Sequence, residues 1–108
     1  MNWRVEVLNE TVRNEMKTLP DDMRAKIDHI IELIENFGLN QIREPHVKHL
    51  EHKLWEMRVR GKDGIARILY VTVHQQRVVI LHAFVKKTNK TPKRAIRVAM
   101  SRMKEIQK

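Results

Sequence analysis

Three consecutive blocks in the second half of the chain do most to limit what it can fold into. Leu54 to Arg60 alternates, with Trp55, Met57 and Val59 on one side and Glu56, Arg58 and Arg60 on the other. That is the period-two pattern of a strand. Gly61-Lys62-Asp63-Gly64 follows as a strong turn signal. Ile65 to His74 and Arg77 to Val85 are β-branched and apolar on both sides, as strands inside a sheet are. Gln75-Gln76 leaves room only for a tight hairpin between them. Three strands joined by two short turns predict an antiparallel meander.

The first half reads differently. Trp3, Val5 and Val7 alternate with Arg4 and Glu6, a short half-buried strand. Asn9 is placed to cap a helix over 10–18, in which Leu8, Val12, Met16 and Leu19 recur at helical spacing. Pro20, Asp21 and Asp22 suit the first turn of a second helix over about 20–37. Its apolar stripe is Met23, Ile27, Ile30, Ile31 and Ile34, and Gly38 is a natural stop. The short link between the two predicts a helical hairpin.

Residues 39–53, with Pro45 and three histidines, read as irregular. Thr91 and Pro92 read as the N-cap and first residue of a last helix, striped by Ile96, Ala99, Met100, Met103 and Ile106. Trp3 and Trp55 are assigned to the core. The predicted order is β-α-α-β-β-β-α: a single α+β domain over 1–108, an antiparallel-rich sheet with the helical hairpin and the C-terminal helix packed on it.

Charge is distributed as a gradient. The net is +9, but residues 1–42 carry five basic and eight acidic side chains, whereas residues 84–108 carry nine basic side chains against Glu105 alone. Such an asymmetry raises a positive potential at one end of a small domain and attracts phosphate backbones, or an acidic protein face. The absence of cysteine excludes disulfides, thiolate zinc sites and cysteine nucleophiles. Met1 to Leu8 already contains Arg4 and Glu6, and no apolar run approaches the roughly 20 residues that cross a bilayer. The expectation is a cytoplasmic protein with no membrane partner.

Arginines and lysines are the residues that could carry chemistry. Arg58 and Arg60 leave one strand on the face opposite Met57 and Val59, and Arg67 lies inside the apolar stretch of the next. A buried guanidinium is costly without an anion. Either Arg67 binds a phosphate, or Glu56 is its structural partner. Lys86, Lys87 and Thr88 follow the last strand, where they either contact phosphate and a 2′-hydroxyl or are solvated at a strand end. His82 reads as a satisfied core histidine. His46, His49 and His52 have no carboxylate or cysteine to complete a familiar metal site, so neither metal nor cofactor is expected. There is no phosphate-binding glycine loop, serine triad or paired-carboxylate motif.

The series Pro45-His46-Val47-Lys48-His49-Leu50, Leu54-Trp55-Glu56-Met57-Arg58-Val59-Arg60, Gly64-Ile65-Ala66-Arg67-Ile68-Leu69-Tyr70, His82-Ala83-Phe84-Val85-Lys86-Lys87-Thr88 and Thr91-Pro92 resembles the phage-derived HigB-like branch of the RelE/ParE toxin superfamily. The resemblance extends over essentially the whole chain. It implies a RelE-like fold and an endoribonuclease toxin of a type II toxin–antitoxin system. Such an enzyme acts on translated messenger RNA in the ribosome, without metal, by attack of the 2′-hydroxyl on the adjacent phosphorus. It implies a cognate antitoxin of helix-turn-helix, HigA-like type, through which the pair binds operator DNA.

By position, the resemblance gives catalytic roles to Arg67, Arg58, Lys86 and Lys87, and RNA-binding roles to Arg60, Thr88, Lys90, Lys93 and Arg94. The general base is left among His82, Lys86 and Lys87, since no tyrosine stands in the final basic segment. The alternative within the superfamily is a ParE-like, non-nucleolytic inhibitor of DNA gyrase. A third reading is a basic phage protein without toxicity.

Overall fold

The computed structural model describes residues 3–41 and 46–106. The elements, in chain order, are β1 (Arg4–Val7), α1 (Glu10–Lys17), α2 (Asp21–Phe37), a short 3-10 turn (Leu39–Gln41), β2 (His46–Glu51), β3 (Leu54–Gly61), β4 (Gly64–Val73), β5 (Arg77–Lys86) and α3 (Lys93–Met103). They build one mixed sheet in the order β1-β5-β4-β3-β2, with β1 parallel to β5 and every other pair antiparallel. The α+β class holds, and the meander β3-β4-β5 is its centre.

Local chemistry sets the turns. Lys62 and Asp63 connect Gly61 to Gly64, which are paired across the hairpin. Gly61 is required by proximity: a Cβ there would lie 2.6 Å from Met23 Cγ and 2.7 Å from Asp22 Oδ2. Gln75 and Gln76 both take positive φ, 67° and 56°, which matches a hairpin turn to the twist of its strands. Asn9 caps α1 as its side chain accepts from Val12 N at 3.0 Å.

The sheet is covered on both faces. Val12 of α1 and the α2 stripe Met23, Ile27, Ile30 and Ile34 pack on Met57, Val59, Ala66, Ile68, Tyr70, Val78, Ile80 and Ala83. On the other face Ala95, Ala99 and Met103 of α3 cover Leu54, Leu69, Val71, Val79 and Leu81. Each such aliphatic side chain contributes about 1.5–3 kcal/mol when fully buried. A bulge between Leu69 and Tyr70 leaves Leu81 as the extra residue of β5. β1 covers β5 only from Arg77 to Ile80. Beyond it, Ala83 N donates to Glu15 Oε1 of α1 at 3.1 Å, so a helix side chain closes the exposed edge.

Three expectations need correction. The segment read as irregular contains a strand, β2, so the order is β-α-α-β-β-β-β-α. It is an edge strand rich in His, Lys and Glu, and pairing with β3 makes it, not its composition. Thr91 does not cap α3: Pro92 occupies the cap position with no side-chain bond, and the helix begins at Lys93. Trp55 is 38% exposed, because it lines an open cleft with Trp3, Ile34 and Val47 and is not enclosed in the core.

Candidate nucleic-acid interface

Strand register builds the site. Arg58 on β3 stands opposite Arg67 on β4, which stands opposite Phe84 on β5. The next row toward the sheet end is Arg60, Ile65 and Lys86. Opposite residues share a face, and strands lie about 4.8 Å apart, so Arg60 and Lys86 flank Ile65 across roughly 10 Å. Both are exposed. From Lys86 the chain passes through exposed Lys87, Thr88, Asn89 and Lys90, turns inward at Thr91, and enters α3 with exposed Lys93 and Arg94.

Beneath this strap lies a buried polar cluster. Like charges directly opposite on a sheet repel, and Glu56, wholly buried, lies between the two arginines. Arg58 Nε donates to Glu56 Oε1 at 2.6 Å, and the Thr91 hydroxyl donates to Glu56 Oε2 at 2.6 Å. Arg67 Nη1 stands 4.0 Å from Glu56 Oε2, at the outer limit of an ion pair. Arg58 Nη2 and Arg67 Nη1 both donate to the Asn89 carbonyl, at 2.6 and 3.3 Å, and Arg67 Nη1 also reaches Thr91 Oγ1 at 3.3 Å. Arg67 is wholly buried, yet its Nε and Nη2 have no partner among the described residues. Burial and then neighbouring Arg58 lower its proton affinity from the usual arginine range, and Glu56 only partly opposes them.

Arg67 therefore does not share an open pocket with Lys86 and Lys87. The Asn89–Thr91 strap lies over it, and both lysines are on the solvent side. The face carrying Glu56, Arg58 and Arg67 alternates like a wet face, but the strap and α3 cover it. Arg60, Thr88, Lys90, Lys93 and Arg94 are all exposed at the same end of the sheet.

Sequence reasoning missed Asn89, which acts through its backbone carbonyl and so leaves no mark in residue type. It also missed the knot around His82: His82 Nδ1 lies 2.8 Å from Glu15 Oε1, and Arg102 bonds both Glu15 Oε1 and the Leu81 carbonyl. Burial raises the Glu15 pKa, but hydrogen bonds from Arg102, His82 and Ala83 outweigh it and hold the carboxyl below its ordinary value.

His49 Nε2 lies 2.6 Å from the His52 carbonyl, and the His49 ring packs edge-on against Trp55 at 5.1 Å. The His46 side chain lies outside the described residues. Elsewhere, a cleft of about 410 Å³ lies among Trp3, Ile34, Leu39, Val47, Trp55 and Tyr70. Asn40 and Thr72 add polar groups to this largely apolar lining, and none of the cations above lines it.

The model of the family described as Phage derived protein Gp49-like (DUF891) matches residues 14–104. The chain belongs to the Gp49-like family. A comparison with curated proteins gave no match. Among solved structures, this Gp49-like chain is similar to an arginine-to-alanine double mutant of the Escherichia coli toxin RelE in the free state. The TM-score is 0.66 at 13% identity, over 95% of this chain and 99% of that one. It is also similar to a chain of the archaeal RelE–RelB complex from Pyrococcus horikoshii. There the TM-score is 0.58 at 20% identity, over 79% of this chain and 96% of that one. The Gp49-like chain thus has the RelE fold, and no helix among the described residues is long and apolar enough to cross a membrane.

Proposed function

We propose that the chain is the toxin of a type II toxin–antitoxin pair and a ribosome-dependent endoribonuclease acting on translated messenger RNA. The reaction is attack of a 2′-hydroxyl on the adjacent phosphorus. The bond to the 5′ oxygen breaks, leaving a cyclic phosphate and a 5′-hydroxyl. Negative charge accumulates on the phosphate oxygens and the leaving group, and fixed cations lower that barrier. Arg58, Arg67, Lys86 and Lys87 serve there; Arg60, Thr88, Lys90, Lys93 and Arg94 hold flanking phosphates. With His82 tied to Glu15, proton transfer falls to Lys86 or Lys87. The decoding site supplies the in-line geometry.

One observation carries the reading: this end of a RelE-like fold holds positive charge that its own structure does not neutralise. Arg67, wholly buried, and Arg58, partly buried, share one carboxylate. The first turn of α3 has Lys93 and Arg94 and no acidic residue, against the helix dipole. Both arrangements cost stability, and such costs concentrate at functional sites.

The archaeal neighbour is a complex of RelE with RelB, which supports an antitoxin partner here. The fuller form is a helix-turn-helix, HigA-like antitoxin that carries the pair to operator DNA. The sealed position of Arg67 favours a second reading, a ParE-like toxin that inhibits gyrase and needs no phosphate in that cluster.

Induction with mapping of transcript ends decides between them. Growth arrest with cuts confined to translated regions is expected, and Arg67→Ala abolishes the cuts while antitoxin binding persists. Intact transcripts with accumulating DNA breaks refute the nuclease, and absence of any growth effect refutes both.

A further inference from the structure

The buried cluster is short of an acceptor in a specific way. Arg58 and Arg67 bring two charges and Glu56 returns one. Two guanidinium nitrogens converge on a single neutral oxygen, the Asn89 carbonyl, at 2.6 and 3.3 Å. Arg67 Nε and Nη2 are buried and have no hydrogen-bond partner among the described residues. A phosphate group offers what is lacking: negative charge and several acceptor oxygens for a fork of donors. The Asn89 carbonyl stands where one such oxygen would go.

We propose that the strap Asn89–Thr91 is a latch: an RNA phosphodiester displaces the Asn89 carbonyl from Arg58 and Arg67, and the Thr91–Glu56 hydrogen bond holds the strap shut until it does. The inference rests on the nuclease reading for its ligand but not for its test. The closing contacts are few. Apart from Thr91 Oγ1 to Glu56 Oε2 at 2.6 Å, the strap is held by the Asn89 carbonyl and by Thr91 as an acceptor from the arginines at 3.3 and 3.5 Å. Asn89 and Lys90 are exposed, so Thr91 is the one strap residue that opening must draw out of a buried position. Lys86, Lys87 and Lys90 flank the strap and draw the anion to it before the latch yields. The free toxin then keeps its phosphate-gripping arginines covered until a phosphate group displaces the Asn89 carbonyl.

The test is a titration of the full chain at low salt with inorganic phosphate, and separately with a short single-stranded RNA, following the arginine Nε–H resonances by NMR. Both ligands are expected to move the Arg67 Nε–H downfield as it gains an acceptor. Arg67→Met, which assigns that signal, is expected to weaken binding tenfold or more. Thr91→Val loosens the latch and is expected to tighten binding about three- to tenfold, the worth of one net hydrogen bond. Equal binding by wild type and Arg67→Met overturns the proposal, since the ligand then contacts only surface lysines. Weaker binding by Thr91→Val overturns it too, because the strap is then part of the site and not its cover. A response to inorganic phosphate with none to RNA makes this a free-ion site and removes the gate. None of these readouts depends on cleavage, so the latch and the nuclease reading fail separately.

Discussion

Replacing Arg67 by methionine is expected to make the protein more stable, and replacing Glu56 by alanine to make it much less so. Arg67 makes two hydrogen bonds, both long at 3.3 Å, and an ion-pair contact at 4.0 Å. Against them stand two buried nitrogens with no partner among the described residues, each carrying a desolvation cost of about 1–3 kcal/mol. A net hydrogen bond is worth only about 0.5–1.5 kcal/mol, so the balance favours an apolar side chain of similar length. Glu56 keeps Arg58 and Thr91 as partners when Arg67 is exchanged, so no buried charge is left alone, and the net gain is about 1 kcal/mol. For a chain of this size that raises Tm by roughly 4 °C per kcal/mol.

Glu56→Ala leaves two guanidinia facing each other with no carboxylate, and such a broken buried pair costs about 3–5 kcal/mol. Urea and thermal unfolding, followed by fluorescence of Trp3 and Trp55, measure both. Loss of more than about 1 kcal/mol in Arg67→Met would refute the reasoning. The guanidinium would then be a structural anchor and not a group held at a cost for the sake of phosphate.

Tyr70 is the single tyrosine of the chain, and burial pushes its pKa up from 10.0 to about 12. The unfolded chain therefore ionises first: stability is complete below pH 10 and is lost as pH rises from there toward 12, which absorbance at 295 nm and an alkaline unfolding series resolve together. Glu15 behaves with the opposite sign. Its folded pKa lies below the ordinary 4.5, so its contribution is present above pH 4.5 and lost as pH falls through the folded value. Glu15→Gln is expected to flatten that acid limb in a pH series of unfolding curves. Gly61→Ala drives a methyl into Met23 and Asp22 and is expected to lower stability by about 1–3 kcal/mol in urea melts, where no change would show that α2 yields freely.

The parts of the fold that were legible in the sequence are those that local chemistry decides. The meander follows from period-two alternation and two tight turns, and the α2 stripe and the Asn9 cap follow from spacing along one helix. β2 was not legible because His46–Glu51 has the composition of a loop, and the unpaired edge of β3 is what extends it. The second face of the sheet was misjudged for a similar reason. Glu56 and Arg58 alternate like solvated residues, and what buries them arrives more than 30 positions later in the chain. Arg67 was legible as an arginine that needs an anion; which anion depends on Asn89, whose contribution is a carbonyl that every residue possesses.

Thr91 shows how the local and the non-local compete. Its hydroxyl suits a helix cap, and the sequence offers it in the expected place before Pro92. But proline holds the preceding residue in extended backbone, and Pro92 itself takes the cap position. The hydroxyl is thereby free to turn inward to Glu56. α3 starts without a side-chain cap, a loss of about 0.5–2 kcal/mol, and begins instead with two cations. The helix end and the buried cluster thus depart from the most stable arrangement in the same direction, toward a positive, under-satisfied site at one end of the sheet. Thr91 links the two departures, and both leave that end of the sheet suited to an anion.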